Sequence, residues 1–145
     1  MRFRALRLLS AVLASAVVGG GAASCAASAT DGAGPLVVRQ DQRVLGRFTL
    51  PQLRNLPQVQ IATPQSRGAQ VQQGPTVRSV LRAANAAAVD RVRVEGRDPA
   101  QTLTAAELTE QVILNVTKRS TLKLTGTQLG RDRWVRDVTA LVVNP

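Results

Sequence analysis

The first two dozen residues set part of this chain aside before any question of folding arises. Met1 to Arg7 is short and basic, Leu8 to Val18 (LLSAVLASAVV) is an unbroken apolar or small run, and Gly19 to Ser24 (GGGAAS) is small and flexible. Positive, apolar, small is the order of a secretory signal. The apolar run is shorter than the ~20 residues that a permanent membrane-spanning helix needs. Residues 1–24 are therefore expected to be a cleavable export signal, with a retained anchor helix as the alternative. No Arg-Arg pair precedes the apolar run, so the expected route is the one that threads unfolded chains. A single domain of roughly 110–120 residues is left to fold, which is only modestly stable at that size.

At the end of the signal, Ala22-Ala23-Ser24-Cys25 resembles a bacterial lipobox. The Cys of such a box receives a diacylglyceryl group and becomes the new N-terminus. The usual Leu three residues before the Cys is replaced here by Ala22. The resemblance implies lipidation at Cys25 and an extracytoplasmic protein anchored to the bacterial cell membrane. Cleavage after Ala29, at Ala27-Ser28-Ala29, would instead give a secreted protein. Residues 26–34 (AASATDGAG) are small, polar and Gly-containing, so 25–35 reads as a lipidated Cys with its tether and 36–145 as the domain.

Composition removes much chemistry from that domain. The whole chain has no His, and its one Cys is Cys25. Ser-His-Asp and Cys-His nucleophiles, nitrogen- or sulfur-ligated zinc and copper sites, and intrachain disulfides are all excluded. Phe48 and Trp134 are the only aromatic residues beyond the signal, so Val, Leu, Ile and Ala must fill the core. The chain carries nineteen basic and nine acidic residues, +10 net. Losing Arg2, Arg4 and Arg7 with the signal leaves sixteen against nine, or +7. That balance either reflects a genome-wide habit of encoding Arg, Ala and Val or favours anionic lipid or an acidic wall polymer. It does not point to nucleic acid, because the basic residues are dispersed and no aromatic stacking platform accompanies them.

Periodicity predicts strands at Leu36–Arg39, Arg43–Phe48 and Val59–Ile61, with a turn at Gln40–Gln42. Thr49 and Gln52 fit a capping box with Pro51 in the first turn, opening a short helix that carries Leu50, Leu53 and Leu56. Residues 64–75 (PQSRGAQVQQGP) are polar and turn-rich. Val77, Val80, Leu81, Ala84 and Ala88 fall at helical spacing and predict a helix over Thr76–Ala88. Asp90–Glu95 alternates as a strand, and Gln101–Leu103 is a short one. Thr104 and Glu107 form a second capping box, predicting a third helix to about Leu108. Val112–Val116, Ser120–Thr125 and Trp134–Val143 read as strands. Strands interrupted by three short helices imply an α+β (mixed α/β) fold.

This order of motifs resembles the oxidoreductase molybdopterin-binding domain, the sulfite-oxidase-like fold, over about residues 36–143. Phe48-Thr49-Leu50-Pro51-Gln52-Leu53 is similar to the family's strand followed by L-x-x-L. Gly74-Pro75-Thr76-Val77-Arg78-Ser79-Val80-Leu81 is similar to its helix entry, Gly96-Arg97-Asp98 to its turn, Val112-Ile113-Leu114 to an apolar strand, and Trp134-Val135-Arg136 to its last strand. The resemblance implies a compact core of that fold and a molybdopterin cofactor. The family's metal-ligating Cys should fall near Ile61–Gly74, where this sequence has none, and its phosphate-holding His residues are also missing. The expectation is a non-catalytic binding or accessory module at the cell envelope, with no metal and no cofactor. The alternatives are a molybdopterin oxidoreductase, and a structural envelope protein that binds anionic lipid or wall polymer; an envelope protein is a further partner class.

Arg131, Arg133 and Arg136 cluster around Trp134, and guanidinium groups suit phosphate or carboxylate. The alternative is a solvated strand edge paired with Asp132 and Asp137. In the resembling family, the region matching Gln65–Gln73 borders the cofactor pocket. Arg67 on that loop, with Arg131, Arg133, Trp134 and Arg136, is therefore the candidate ligand-facing set. Arg91, Arg93 and Arg97 read as the wet face of a strand and its turn, with an anion stripe as the alternative. Nothing in the spacing of Glu95, Asp98, Glu107 and Glu110 brings two together for acid–base work, so no catalytic residue is assigned.

Overall fold

The computed structural model describes residues 35–145, so the expected signal, Cys25 and nearly all of the tether lie outside the described residues. The α+β, sulfite-oxidase-like expectation is overturned. The described residues form ten strands in three sheets and only two α-helices, of six and seven residues. Four segments differ from what their sequence suggests, and each has a local reason.

The capping boxes come first. At Thr49 both reciprocal bonds form: the Gln52 N–H donates to Thr49 Oγ1 at 3.4 Å, and the Thr49 N–H to Gln52 Oε1 at 2.8 Å. Helix α1 (Leu50–Asn55) follows, burying Leu53, and the Gln58 side-chain amide closes it by donating to the carbonyls of Leu53 and Leu56. At Thr104 the same two bonds form with Glu107, but the chain closes one turn and stops. Beyond Leu108 the sequence Thr-Glu-Gln offers no apolar face to bury, and a short helix without tertiary packing does not persist. Helix α2 (Val77–Ala83) also ends earlier than Ala88. Asn85 takes a left-handed φ of 56° and Ala88 is exposed rather than part of the apolar stripe.

The polar stretch 64–75 hides strand β4 (Val71–Pro75), which pairs antiparallel with β3 (Gln58–Ala62). The strand is legible only in space. Gln72 is buried against Thr63, donating to its Oγ1 at 3.3 Å. Gly74 passes so close to β7 (Val112–Val116) that a Cβ there would collide with the Leu114 carbonyl. The expected final strand is two. β9 (Val135–Arg136) pairs with β8 (Leu122–Gly126), while β10 (Ala140–Val143) belongs to another sheet. Asp137, at φ 51°, makes the break.

The largest sheet runs β2-β1-β10-β5-β6, from β1 (Leu36–Gln40), β2 (Arg43–Phe48), β5 (Arg91–Glu95) and β6 (Gln101–Thr104) with β10. β1 and β10 are parallel; the other neighbours are antiparallel. Its inward residues, among them Val38, Val92, Val94, Leu103 and Leu141, join Leu114, Leu124, Val135 and the helix residues Leu53, Val77 and Val80 in one aliphatic core. The outward face presents Val37, Arg39, Arg91, Arg93 and Glu95.

Candidate anion-binding groove

Long-range side-chain bonds bring the β3–β4 loop against the loop after β8. The Gln65 amide donates to the carbonyls of Gly126 (2.9 Å), Thr127 (3.2 Å) and Leu129 (3.0 Å). Thr127 Oγ1 donates back to the Ala62 carbonyl at 2.8 Å. Asn115 Nδ2 donates to the Gln73 carbonyl at 2.9 Å, tying β7 to β4. Between these clamps lies an open groove of about 830 Å³. One wall is Arg67 to Gln73. The other carries Lys118, Lys123, Arg131, Trp134 and Arg136, together with Asp98 and Asp132.

Trp134 forms part of the base. It is 7% exposed, and its ring N–H donates to the Leu129 carbonyl at 3.1 Å. Lys123 Nζ stands 4.6 Å from the centre of the Trp134 ring, a cation–π contact. Burial first, and then the positive fields of Arg131 and Arg136, hold the Lys123 ammonium below the usual lysine range. Both causes disfavour the charged form, so an anion in the groove would relieve the second.

The structure divides the predicted arginines by their partners. Arg136 is forked onto Asp98, Nη2 to Oδ1 at 2.7 Å and Nε to Oδ2 at 3.0 Å, while its backbone N–H donates to Oδ2 at 2.8 Å. Those bonds lower the Asp98 carboxyl to about 2. Arg133 turns away from the groove. It pairs with Glu107 at 2.6 Å and donates to the Thr102 carbonyl at 3.1 Å, covering the open edge of β6. The Arg133 guanidinium, and then the Thr104 N–H, hold the Glu107 carboxyl below its ordinary range. The sequence-local partners expected for these arginines are not the ones used: Asp137 pairs with Arg97 at 3.8 Å, and Asp132 makes no ion pair among the described residues.

Arg67, Arg131, Trp134 and Arg136 thus meet in one groove, and Arg133 does not. Lys118, Lys123 and Asp98 belong to it as well and were not singled out from sequence. Lys123 had a signal: it is the outward residue between the inward pair Leu122 and Leu124. Among the described residues, Arg67, Lys118, Lys123 and Arg131 form no ion pair with any carboxylate. Glu95, Asp98 and Glu107 are each engaged by a different arginine set. The groove lining suits a phosphate or carboxylate, but it holds no sulfur or imidazole, so a thiolate-held molybdenum does not fit it. No protein-family model matches this chain, and no curated protein matches it.

Proposed function

We propose that this protein is an exported, lipid-anchored binding module of the cell envelope, without catalytic activity, whose groove takes an anionic group of an envelope ligand. The supporting observation is the gathering of Arg67, Lys118, Lys123 and Arg131 around one groove in which they outnumber the lining carboxylates Asp98 and Asp132 and form an ion pair with neither among the described residues. Unpaired cations in a concave, partly desolvated site favour a ligand that supplies the missing charge. The export order at the N-terminus and the lone Cys25 support a setting outside the cytoplasm, close to a membrane.

Trp134 is the only tryptophan of the chain and reports directly on this groove. Titrating the protein with inorganic polyphosphate at low salt should change its fluorescence saturably. Arg67→Gln combined with Arg131→Gln should weaken that binding by roughly tenfold or more, since two charge-assisted bonds are lost. No saturable change with the wild type, or equal affinity in the double variant, refutes the groove as the site. Export and anchorage are tested separately by metabolic labelling with a fatty acid. Label should be incorporated and should disappear in Cys25→Ser.

A further inference from the structure

The outward face of the five-stranded sheet is a second basic surface, separate from the groove. Strand register sets its rows. Arg47, Val37, Ala140 and Glu95 lie side by side across β2, β1, β10 and β5, and Val44, Arg39, Val142, Arg93 and Thr102 form the next row. Arg91 opposite Thr104 adds to the end of β5. Four arginines therefore share the face with one acid. Glu95 is held between Arg39 at 3.0 Å and Arg93 at 2.8 Å, which leaves Arg47 and Arg91 unpaired among the described residues. At the β1–β2 turn, Asp41 and Arg43 offset each other in charge. Val44 projects from the same face, 48% exposed. The helices lie on the opposite side, with the core.

The position of the tether singles this face out. A hollow of about 680 Å³ on it is lined by Pro35, Val37, Arg39, Val44 and Arg47, with the acids Asp41 and Glu95. Pro35 is the residue at which the expected tether enters the domain. From Cys25 to Pro35 is ten residues, so even fully extended the chain reaches no more than about 36 Å. A lipid on Cys25 would hold this face near the bilayer at high effective concentration. Attraction to anionic headgroups falls off within roughly 8–10 Å, so only a face that seats against the bilayer gains from it.

We propose that the outward face of β2-β1-β10-β5 is a membrane-docking surface for anionic phospholipid, with Arg47 and Arg91 as its free charges and Val44 entering the headgroup layer. The groove and this hollow share no lining residue, so a domain seated in this way keeps the groove available. The inference rests on the envelope reading above for its biological setting, but its test needs no lipidation.

The test is co-sedimentation of the full chain carrying Cys25→Ser with vesicles of phosphatidylglycerol and phosphatidylcholine, and with phosphatidylcholine alone. Every variant retains the same N-terminal segment, so its contribution cancels in ratios between variants. Each basic residue near an anionic surface contributes roughly a fivefold change in partitioning. Arg47→Gln with Arg91→Gln should lower binding to the anionic vesicles on the order of 25-fold and leave binding to neutral vesicles unchanged. Arg47→Lys with Arg91→Lys, which keeps the charge, should bind as the wild type does. Arg67→Gln with Arg131→Gln should change vesicle binding less than the sheet variant. Wild-type binding by the Arg47/Arg91 double variant overturns the proposal. So does an equal loss in the groove variant, or binding of the face to soluble polyphosphate with none to anionic vesicles. Fatty-acid labelling can fail without affecting any of these outcomes.

Discussion

Two sets of basic residues sit within one stretch of surface and behave differently. Arg133 and Arg136, at and just after the 3-10 turn Arg131–Arg133, are each engaged by a carboxylate distant in sequence, Glu107 and Asp98. They act as staples: one closes the edge of β6, the other fastens β9 to the β5–β6 turn. Arg131 stands two residues from Arg133, and with Arg67, Lys118 and Lys123 it has no such partner among the described residues. The chemistry of the side chains is nearly the same on both sides. Whether an ion pair forms with a distant carboxylate separates the cations that staple the fold from those that do not.

That contrast can be broken most forcefully at the groove base. Trp134→Ala should lower stability by about 3–5 kcal/mol, because a buried aromatic is removed together with its Leu129 bond; the midpoint of urea unfolding measures it. Gly74→Ala should destabilise by about 2–3 kcal/mol through backbone displacement of β4 from β7, and the same urea series should show it. It should also disturb polyphosphate binding, since β4 forms one wall.

A smaller effect separates the staples from the free cations by pH. The Asp98 carboxyl sits at about 2 in the folded protein, against an ordinary value of 3.8. Its contribution is therefore fully present above about pH 4 and is lost as pH falls through about 2. Glu107 shifts in the same direction. Asp98→Asn should flatten the acid limb of a plot of melting temperature against pH. An unchanged limb would mean that the Arg136 fork is not maintained in solution. The least effect on stability is expected from Arg67→Gln with Arg131→Gln, within about 0.5 kcal/mol of the wild type, although this pair should lose polyphosphate binding. A loss of stability comparable to Gly74→Ala would make those two residues structural after all.

Much of the local structure was legible in the residues. The β1–β2 hairpin, the Thr49 capping box, the start of α2 and the alternation of β5 and β8 all appear where period and cap signals put them. Arg67 lines one groove with Arg131, Trp134 and Arg136, residues distant from it in sequence, while Arg133 lies outside it. Other features were not legible. Val71–Pro75 reads as loop because its buried positions are Gln72, Gly74 and Pro75, and the burial of the first two makes sense only beside Thr63 and Leu114. The turn at Thr104 carries the same cap signal as Thr49, and only the packing available to the residues that follow separates a helix from a single turn. The α+β expectation failed on these points.

What the sequence determined by itself is therefore local and compositional: which segments alternate, where a helix can start, and that a domain without imidazole or thiol cannot grip a soft metal with nitrogen or sulfur. Tertiary structure alone decided how the strands divide among three sheets, and which arginines find a carboxylate. The reason is physical. Period and caps are set by neighbours a few residues away, whereas an ion pair between residues 38 positions apart, as for Asp98 and Arg136, exists only once the chain has closed around its core.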